Sequence, residues 1–185
     1  VGGKKMNRVT VFLVAALAAA AVVPAEAGLK IYVNLGNGLW ADYPDSKITI
    51  RPSDVIKIGI IDVDGTGGTG SMALGIAVGA ASGSLDISQA VLSQGVSAEL
   101  TAGGAEQVGM QSPFVSISNI TPQGAGGWLI QDTLFHCDGP GDVTIALVDN
   151  NGNIIDAQVI HQTPEPATML LLGLGGLFFM KVKIG

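Results

Sequence analysis

Cations are missing from most of this chain: no lysine or arginine occurs between Ile58 and Met180. All nine lie elsewhere, as Lys4, Lys5, Arg8, Lys30, Lys47, Arg51, Lys57, Lys181 and Lys183. Gly28 to Thr163 carries 4 cations against 13 anions, a net charge of −9. Gripping a phosphate backbone takes clustered Lys and Arg, so nucleic acid is excluded as a partner. An acidic, cation-poor surface suits solubility outside the cell or the binding of divalent ions. Cysteine is scarce too. Cys137 stands alone, no intramolecular disulfide can form, and stability must come from the core.

Catalytic residue types are equally thin. His136 and His161 are the only histidines, and a metal or cysteine-protease site needs more partners than they and Cys137 supply. His136 and Cys137 are neighbours in an expected strand, so they face opposite sides and cannot act as base and nucleophile for each other. No G-x-S-x-G elbow and no H-E-x-x-H motif occurs. The chain reads as a non-enzyme. A carboxylate pair for glycoside hydrolysis is the catalytic alternative, since sequence does not show carboxylate spacing. Aromatic residues make up 5% of the chain. Trp40, Tyr43 and Trp128 sit beside Gly- or Asp-rich loops, where such rings either stack on sugars or pack a core or edge.

What the chain does have is a hydrophobic period of two. Leu29–Val33 reads as a strand stopped by Asn34–Gly38. Lys47–Arg51 alternates and turns at Pro52-Ser53-Asp54. Val55–Val63 is long and nearly all apolar, as a central strand buried on both faces would be. Met72, Leu74, Ile76, Val78 and Ala80 alternate with small residues. Leu85 and Ile87 mark a short strand or turn, and Ile87–Leu92 also fits a helical turn. Val96–Thr101, Phe114–Ile120 and Trp128–Cys137 are further strands, with Val115 and Ile117 on one face. Val143, Ile145 and Leu147 form an inward set before the Asp149-Asn150-Asn151-Gly152 hairpin turn. Ile155, Ala157, Val159 and His161 complete the partner strand. Nine or ten short strands with Gly, Pro, Asn and Asp turns predict an all-β fold, an antiparallel β-sandwich of jelly-roll or Ig-like type. Ile58, Ile60, Ile76, Val143, Ile145 and Leu147 are its expected core.

Two loops resemble ligand motifs. Gly65-Thr66-Gly67-Gly68-Thr69-Gly70 matches G-x-G-x-x-G, but a dinucleotide site needs a helix to start at its end, and Met72–Ala80 alternates as a strand. A hairpin loop is expected instead. Asp62-Val63-Asp64-Gly65 places two carboxylates at a turn, which makes Asp62 and Asp64 the calcium candidates, although no Glu completes an EF-hand. Asp42, Asp45, Asp138, Asp142 and Asp149 are expected to be turn formers. No other cofactor is implied.

The two ends carry addresses. Lys4, Lys5 and Arg8 precede an apolar stretch, Val9–Val23, and Ala25-Glu26-Ala27 is an A-x-A cleavage site. Residues 1–27 read as a Sec-type signal peptide, with a helical apolar core, cleaved after Ala27. At the other end, Pro164-Glu165-Pro166 is followed by an uncharged run of 14 residues, Ala167–Met180, and then Lys181 and Lys183. Prolines break regular structure, the run is helix-competent, and terminal lysines stay on the side that does not cross. The run is short against the roughly 20 residues of a comfortable span.

This stretch, residues 163–185, resembles the PEP-CTERM sorting signal of exported bacterial proteins. The resemblance implies a membrane-embedded exosortase as partner, with Pro164, Glu165 and Pro166 as the sorting motif, a short transmembrane helix, and Lys181 and Lys183 as the membrane tip. It also implies a Gram-negative-type bacterium, transient anchoring in the inner membrane, and a place at the cell surface or in the biofilm polysaccharide matrix. The intervening domain, 28–162, is similar to cohesin-like and carbohydrate-binding jelly-roll modules. The similarity lies in the turn and strand of Ile50–Ile58, the late strand Leu129–Phe135, Gly139-Pro140-Gly141-Asp142 feeding Val143–Leu147, and a last strand ending at His161. It implies a polysaccharide or protein ligand as the alternative to a purely structural or adhesive role.

Overall fold

The computed structural model describes residues 28–43, 48–51, 54–79, 81–103 and 109–163, and among these described residues eleven strands account for all regular structure. In chain order they are β1 (Leu29–Asn34), β2 (Ile48–Ile50), β3 (Val55–Asp62), β4 (Gly70–Ile76), β5 (Gly83–Asp86) and β6 (Val91–Leu92), followed by β7 (Ser97–Thr101), β8 (Phe114–Ile120), β9 (Gly127–Cys137), β10 (Gly141–Asp149) and β11 (Ile154–Gln162). Among the described residues there is no helix. The expected signal and sorting helices lie outside the described residues, with Ala25, Ala27, Pro164, Glu165, Pro166, Lys181 and Lys183. Asp45 and Ala80 lie outside them too.

The strands form two sheets. The first runs β1-β3-β9-β5, with β6 also paired to β9, and the second runs β2-β11-β10-β4-β8-β7. Alternation delivers one apolar face from each. Ile31, Ile58, Ile60 and Phe135 from the first sheet meet Leu74, Ile117, Ile145 and Leu147 from the second in one shared core, all 0% exposed. Strand β10 is buried on its other face as well, where Ala146 and Val148 pack with Ala73, Met110 and Phe114. The expected core residues Ile58, Ile60, Ile76, Val143, Ile145 and Leu147 are all buried.

Turn chemistry ends the strands where the sequence places it. Asn34 closes β1 by accepting the Gly36 and Gly38 N–H groups on Oδ1, at 2.9 and 3.2 Å. Asp149 closes β10 in the same way, accepting from Asn151 N and Asn153 N, both at 2.8 Å. These side chains replace the ladder partners that the backbone loses at a turn.

Four expectations need correction. The sandwich is not wholly antiparallel, because β2 pairs parallel with β11, Ile48 to Ile160 and Ile50 to Gln162. Segment Ile87–Leu92 is not a helical turn: a turn at Ser88–Gln89 leads into β6, which extends the β9 edge beyond β5. The alternation begun at Met72 stops at Ile76, and Val78 is 64% exposed in the following turn. Strand β3 is central, between β1 and β9, but its outer face is half-open and carries Lys57 and Ile61.

Strand β11 differs most from its hydrophobic pattern. Its partners across β10 are Asp156 for Leu147, Gln158 for Ile145 and Ile160 for Val143. Gln158, Ile160 and Gln162 therefore point inward, at 3%, 0% and 4% exposure, while Val159 lies on the other side and Ile155, at the register shift, packs partly against the core. A register shift between Leu147 and Val148 accompanies this choice.

Ile145 sits at the centre of β10 with both neighbouring strands in register, opposite Ile76 and Gln158. Ile145→Ala leaves a cavity that strands paired on both sides cannot close, and should cost about 2–4 kcal/mol in denaturant unfolding. A loss below about 1 kcal/mol would contradict this packing.

Candidate functional site

Three groups of side chains rise above ordinary packing: an aromatic cluster on the outer face of the first sheet, a captured carboxylate beneath the glycine loop, and a polar seam where the sheets meet.

The cluster centres on Trp128 of β9. Its ring lies across β3 over Gly59, where an added Cβ would stand 2.7 Å from Cζ3, so only glycine permits the position. Tyr32 of β1 meets it edge-on, with centroids 6.0 Å apart and planes at 79°. Trp40 approaches from the loop after β1, at 4.9 Å and 56°. That loop is held by a two-hydrogen-bond bridge between Val33 and Ala41. All three rings are part-exposed, and Leu39 beside them is 69% exposed. Two ion pairs flank the rings on the same face, Lys30–Asp42 at 2.9 Å and Lys57–Asp132 at 2.8 Å. Asp132 adopts φ 58°, which a short polar side chain tolerates at the β3–β9 irregularity. Of the expected aromatics, Trp40 and Trp128 come together and Tyr43 packs against the core. Tyr32 joins them unannounced, although its outward position between Ile31 and Val33 is readable from the alternation.

The two calcium candidates part company. Asp62 is 0% exposed, and its carboxylate accepts backbone N–H groups from Gly65 and Gly67 on Oδ1, both at 2.9 Å, and from Gln123 on Oδ2 at 3.0 Å. A Cβ at Gly67 would stand 2.7 Å from Oδ2, so the glycine lets the loop close over the carboxylate. Asp62 thus ties the 65–70 loop to the 121–126 loop. Asp64 faces solvent and accepts from Thr66 N and Oγ1 at 2.9 and 2.6 Å, which holds its carboxyl below the usual range. The glycine loop leads into strand β4 of the other sheet, so it is a crossing between the sheets and not the expected hairpin, and with no helix at its end it lacks the N–H cradle that a dinucleotide requires.

The histidines pair with separate aspartates. His136 Nδ1 is 3.0 Å from Asp138 Oδ1, and His161 Nδ1 is 2.5 Å from Asp142 Oδ1. Among the described residues no group of three or more His, Cys, Asp and Glu could hold a metal ion.

The seam joins β1 to β11. Asp156 Oδ2 accepts the Ile31 N–H at 2.7 Å, and Gln158 Nε2 donates to Asp42 Oδ1 at 2.8 Å. Lys30 Nζ reaches the other Asp42 oxygen at 2.9 Å, and this hydrogen bond raises the lysine above its ordinary value. Burial pushes the Asp156 carboxyl above the usual carboxylate range, and the Asp42 charge pushes it further. Hydrogen bonds from Ile31 and Ala157 and the Lys30 charge oppose that shift.

The sign for stability follows from proton counting. The folded state holds the Asp156 proton to higher pH than the unfolded chain does. Its contribution is therefore present at low pH and is lost as pH rises from the unfolded value through the raised folded one. Asp156→Asn keeps an oxygen for the Ile31 N–H and removes the titration. The variant should match or exceed the parent's melting temperature at neutral pH and lose that advantage below about pH 4, where the parent's carboxyl is protonated. A melting-temperature difference between the two that stays constant with pH would refute the assignment.

Comparison with known proteins bears on the end of the chain. No curated protein sequence matches it. Among solved structures the chain has a weak likeness to a crystal structure of a CaDoc0917–CaCohA2 complex at pH 5.5. The TM-score is 0.37 and the identity 14%, over 73% of this chain and 99% of that one. A likeness of this size carries no argument about ligands. Residues 162–183 match the PEP-CTERM protein-sorting motif. The β-sandwich thus runs directly, at the last residue of β11, into a PEP-CTERM sorting motif.

Proposed function

We propose that the chain is an exported protein whose β-sandwich is carried to the cell surface by its C-terminal sorting motif, and serves there as a structural or adhesive component of the extracellular polysaccharide layer, with no catalytic role. The observation that carries the reading is the sorting motif at residues 162–183. The rest of the chain is consistent with it. An A-x-A site after an apolar stretch suits export, and the acidic, cation-poor domain suits life outside the cell. The tail's chemistry divides the labour. The uncharged run Ala167–Met180 partitions into the bilayer, Lys181 and Lys183 halt it, and Pro164-Glu165-Pro166 offers a stretch that a helix cannot absorb. An exosortase-type enzyme in the membrane is the partner that would read it.

Replacing Pro164 and Pro166 together with Ala allows a helix to extend through the motif at little change in hydrophobicity. In a host with the processing enzyme, the parent should lose its tail and reach the surface, and the double variant should stay in the membrane fraction at full length. Equal membrane retention of both, uncut, would rule out the sorting reading and leave a passive anchor.

The aromatic cluster supports a second reading, a glycan-binding module. Tilted, part-exposed rings beside a hydrogen-bonding rim fit the alternating C–H and O–H surface of a sugar, and the domain's negative charge favours a neutral glycan over an acidic one. Trp40 lies on a loop, so Trp40→Ala tests binding with little disturbance of the sheet. Retardation of the domain in gels containing a neutral polysaccharide should fall about tenfold in the variant, in line with the loss of one hot-spot ring. No retardation of the parent, or none that depends on Trp40, would dismiss this reading.

A further inference from the structure

The last residues of the fold are also the first residues of the sorting motif. Gln162 begins the matched stretch and ends β11, where it stands opposite Gly141 of β10 and Ile50 of β2. It is 4% exposed, and its Nε2 donates to Ser82 O at 3.5 Å. Thr163 prolongs the hold on β2. Its N–H donates to Ile50 O at 3.0 Å, and its Oγ1 donates to the same oxygen at 3.3 Å. Pro164 has no N–H, so it is the first residue that cannot continue the ladder. No spacer intervenes: Pro164 follows Thr163 directly in the chain.

This arrangement conflicts with how a linear motif is read. Enzymes that bind an extended chain use its backbone N–H and C=O groups on both sides of the recognised bond, as an added strand does. Upstream of Pro164 the Thr163 N–H is already engaged by Ile50 O, and Gln162 is paired on both sides. A partner that needs them binds only the fraction of molecules in which the strand end has come away, and its apparent affinity falls by that fraction. Strand ends open at low free-energy cost, so the fraction is small but not negligible. The three-residue strand β2 is the element that sets it, because it is the short outer partner of β11.

We propose that β2 is a latch on the sorting motif: Gln162 and Thr163 must detach from Ile50 before the processing partner engages Pro164-Glu165-Pro166. The folded domain thereby sets the rate at which its own tail is processed. The inference rests on the sorting reading above, and it adds Ile50, Gln162 and Thr163 as residues that position the motif.

The test uses the full chain in a host with the processing enzyme, followed by pulse-chase measurement of tail loss. Thr163→Pro removes both donors to Ile50 O without altering the distance to the motif. A short Gly-Ser spacer between Thr163 and Pro164 leaves the latch in place and moves the motif clear of it. Each should speed tail loss at least about threefold, and Thr163→Pro should add nothing once the spacer is present. In the purified full-length parent, the Thr163 amide should exchange at least about tenfold more slowly than in an unstructured peptide of the same sequence. Acceleration by the spacer alone would overturn the latch in favour of simple crowding by the domain. Unchanged rates in both variants, or an unprotected Thr163 amide, would overturn it outright. A parent chain that is never cut removes the sorting reading and the latch with it, whereas cutting at equal rates removes only the latch.

Discussion

The two sheets are closed on one another by a polar strand face. Strand β11 turns Asp156 and Gln158 toward β1, and the Asp156 carboxylate caps the Ile31 N–H on the side of β1 that has no neighbouring strand. An unpaired strand edge is a template for unwanted pairing, and a side-chain acceptor aimed at it removes that hazard without another strand. Gln158 bridges to Asp42, which Lys30 also holds, so three segments more than a hundred residues apart in part meet through one amide and one carboxylate. Each contact is worth little on its own. Their joint effect is on register. A one-residue slip of β11 would turn these groups outward and leave the Ile31 N–H without its acceptor.

That choice explains where the sequence was legible. Strand β10 could be read because Val143, Ile145 and Leu147 alternate and Asp149-Asn150-Asn151-Gly152 names its turn. Its partner could be located but not oriented. Ala157 and Val159 carry the apolar alternation of β11, yet register with β10 and the seam selects Gln158, Ile160 and Gln162 for the interior. Local hydrophobicity carries no information about a carboxylate waiting across the sandwich. The parallel β2 was hidden for a related reason, since its partner lies 112 residues further on, Ile48 with Ile160. Asp62-Val63-Asp64-Gly65 has the look of a cation loop, and only the fold shows that N–H groups from two loops occupy Asp62. The terminal motif needed no such context. A linear signal is recognised as a string, so composition and order contain all of it.

Two features of this protein stand apart from its core, a string and a surface. The string states a destination, and the surface of the first sheet offers Tyr32, Trp40 and Trp128 in an arrangement that depends on a glycine beneath them. Gly59 is the signal to note in hindsight. A glycine in the middle of an otherwise Ile-rich strand marks a place where something large crosses close to the backbone.

The position of β11 also imposes an order in time. It is the last strand in the chain, yet it lies between β2 and β10 and supplies the groups that cap β1. The second sheet therefore has a gap, and the first an open edge, until the final residues of the domain are present. For a chain threaded through a membrane amino end first, residues 28–149 emerge without the means to close, and the sandwich is completed only when β11 has cleared the pore. Pairings of such long sequence separation form late and slowly. Under the sorting reading proposed above, the apolar tail follows β11 directly, and the domain would finish folding while tethered at the place where its tail is read.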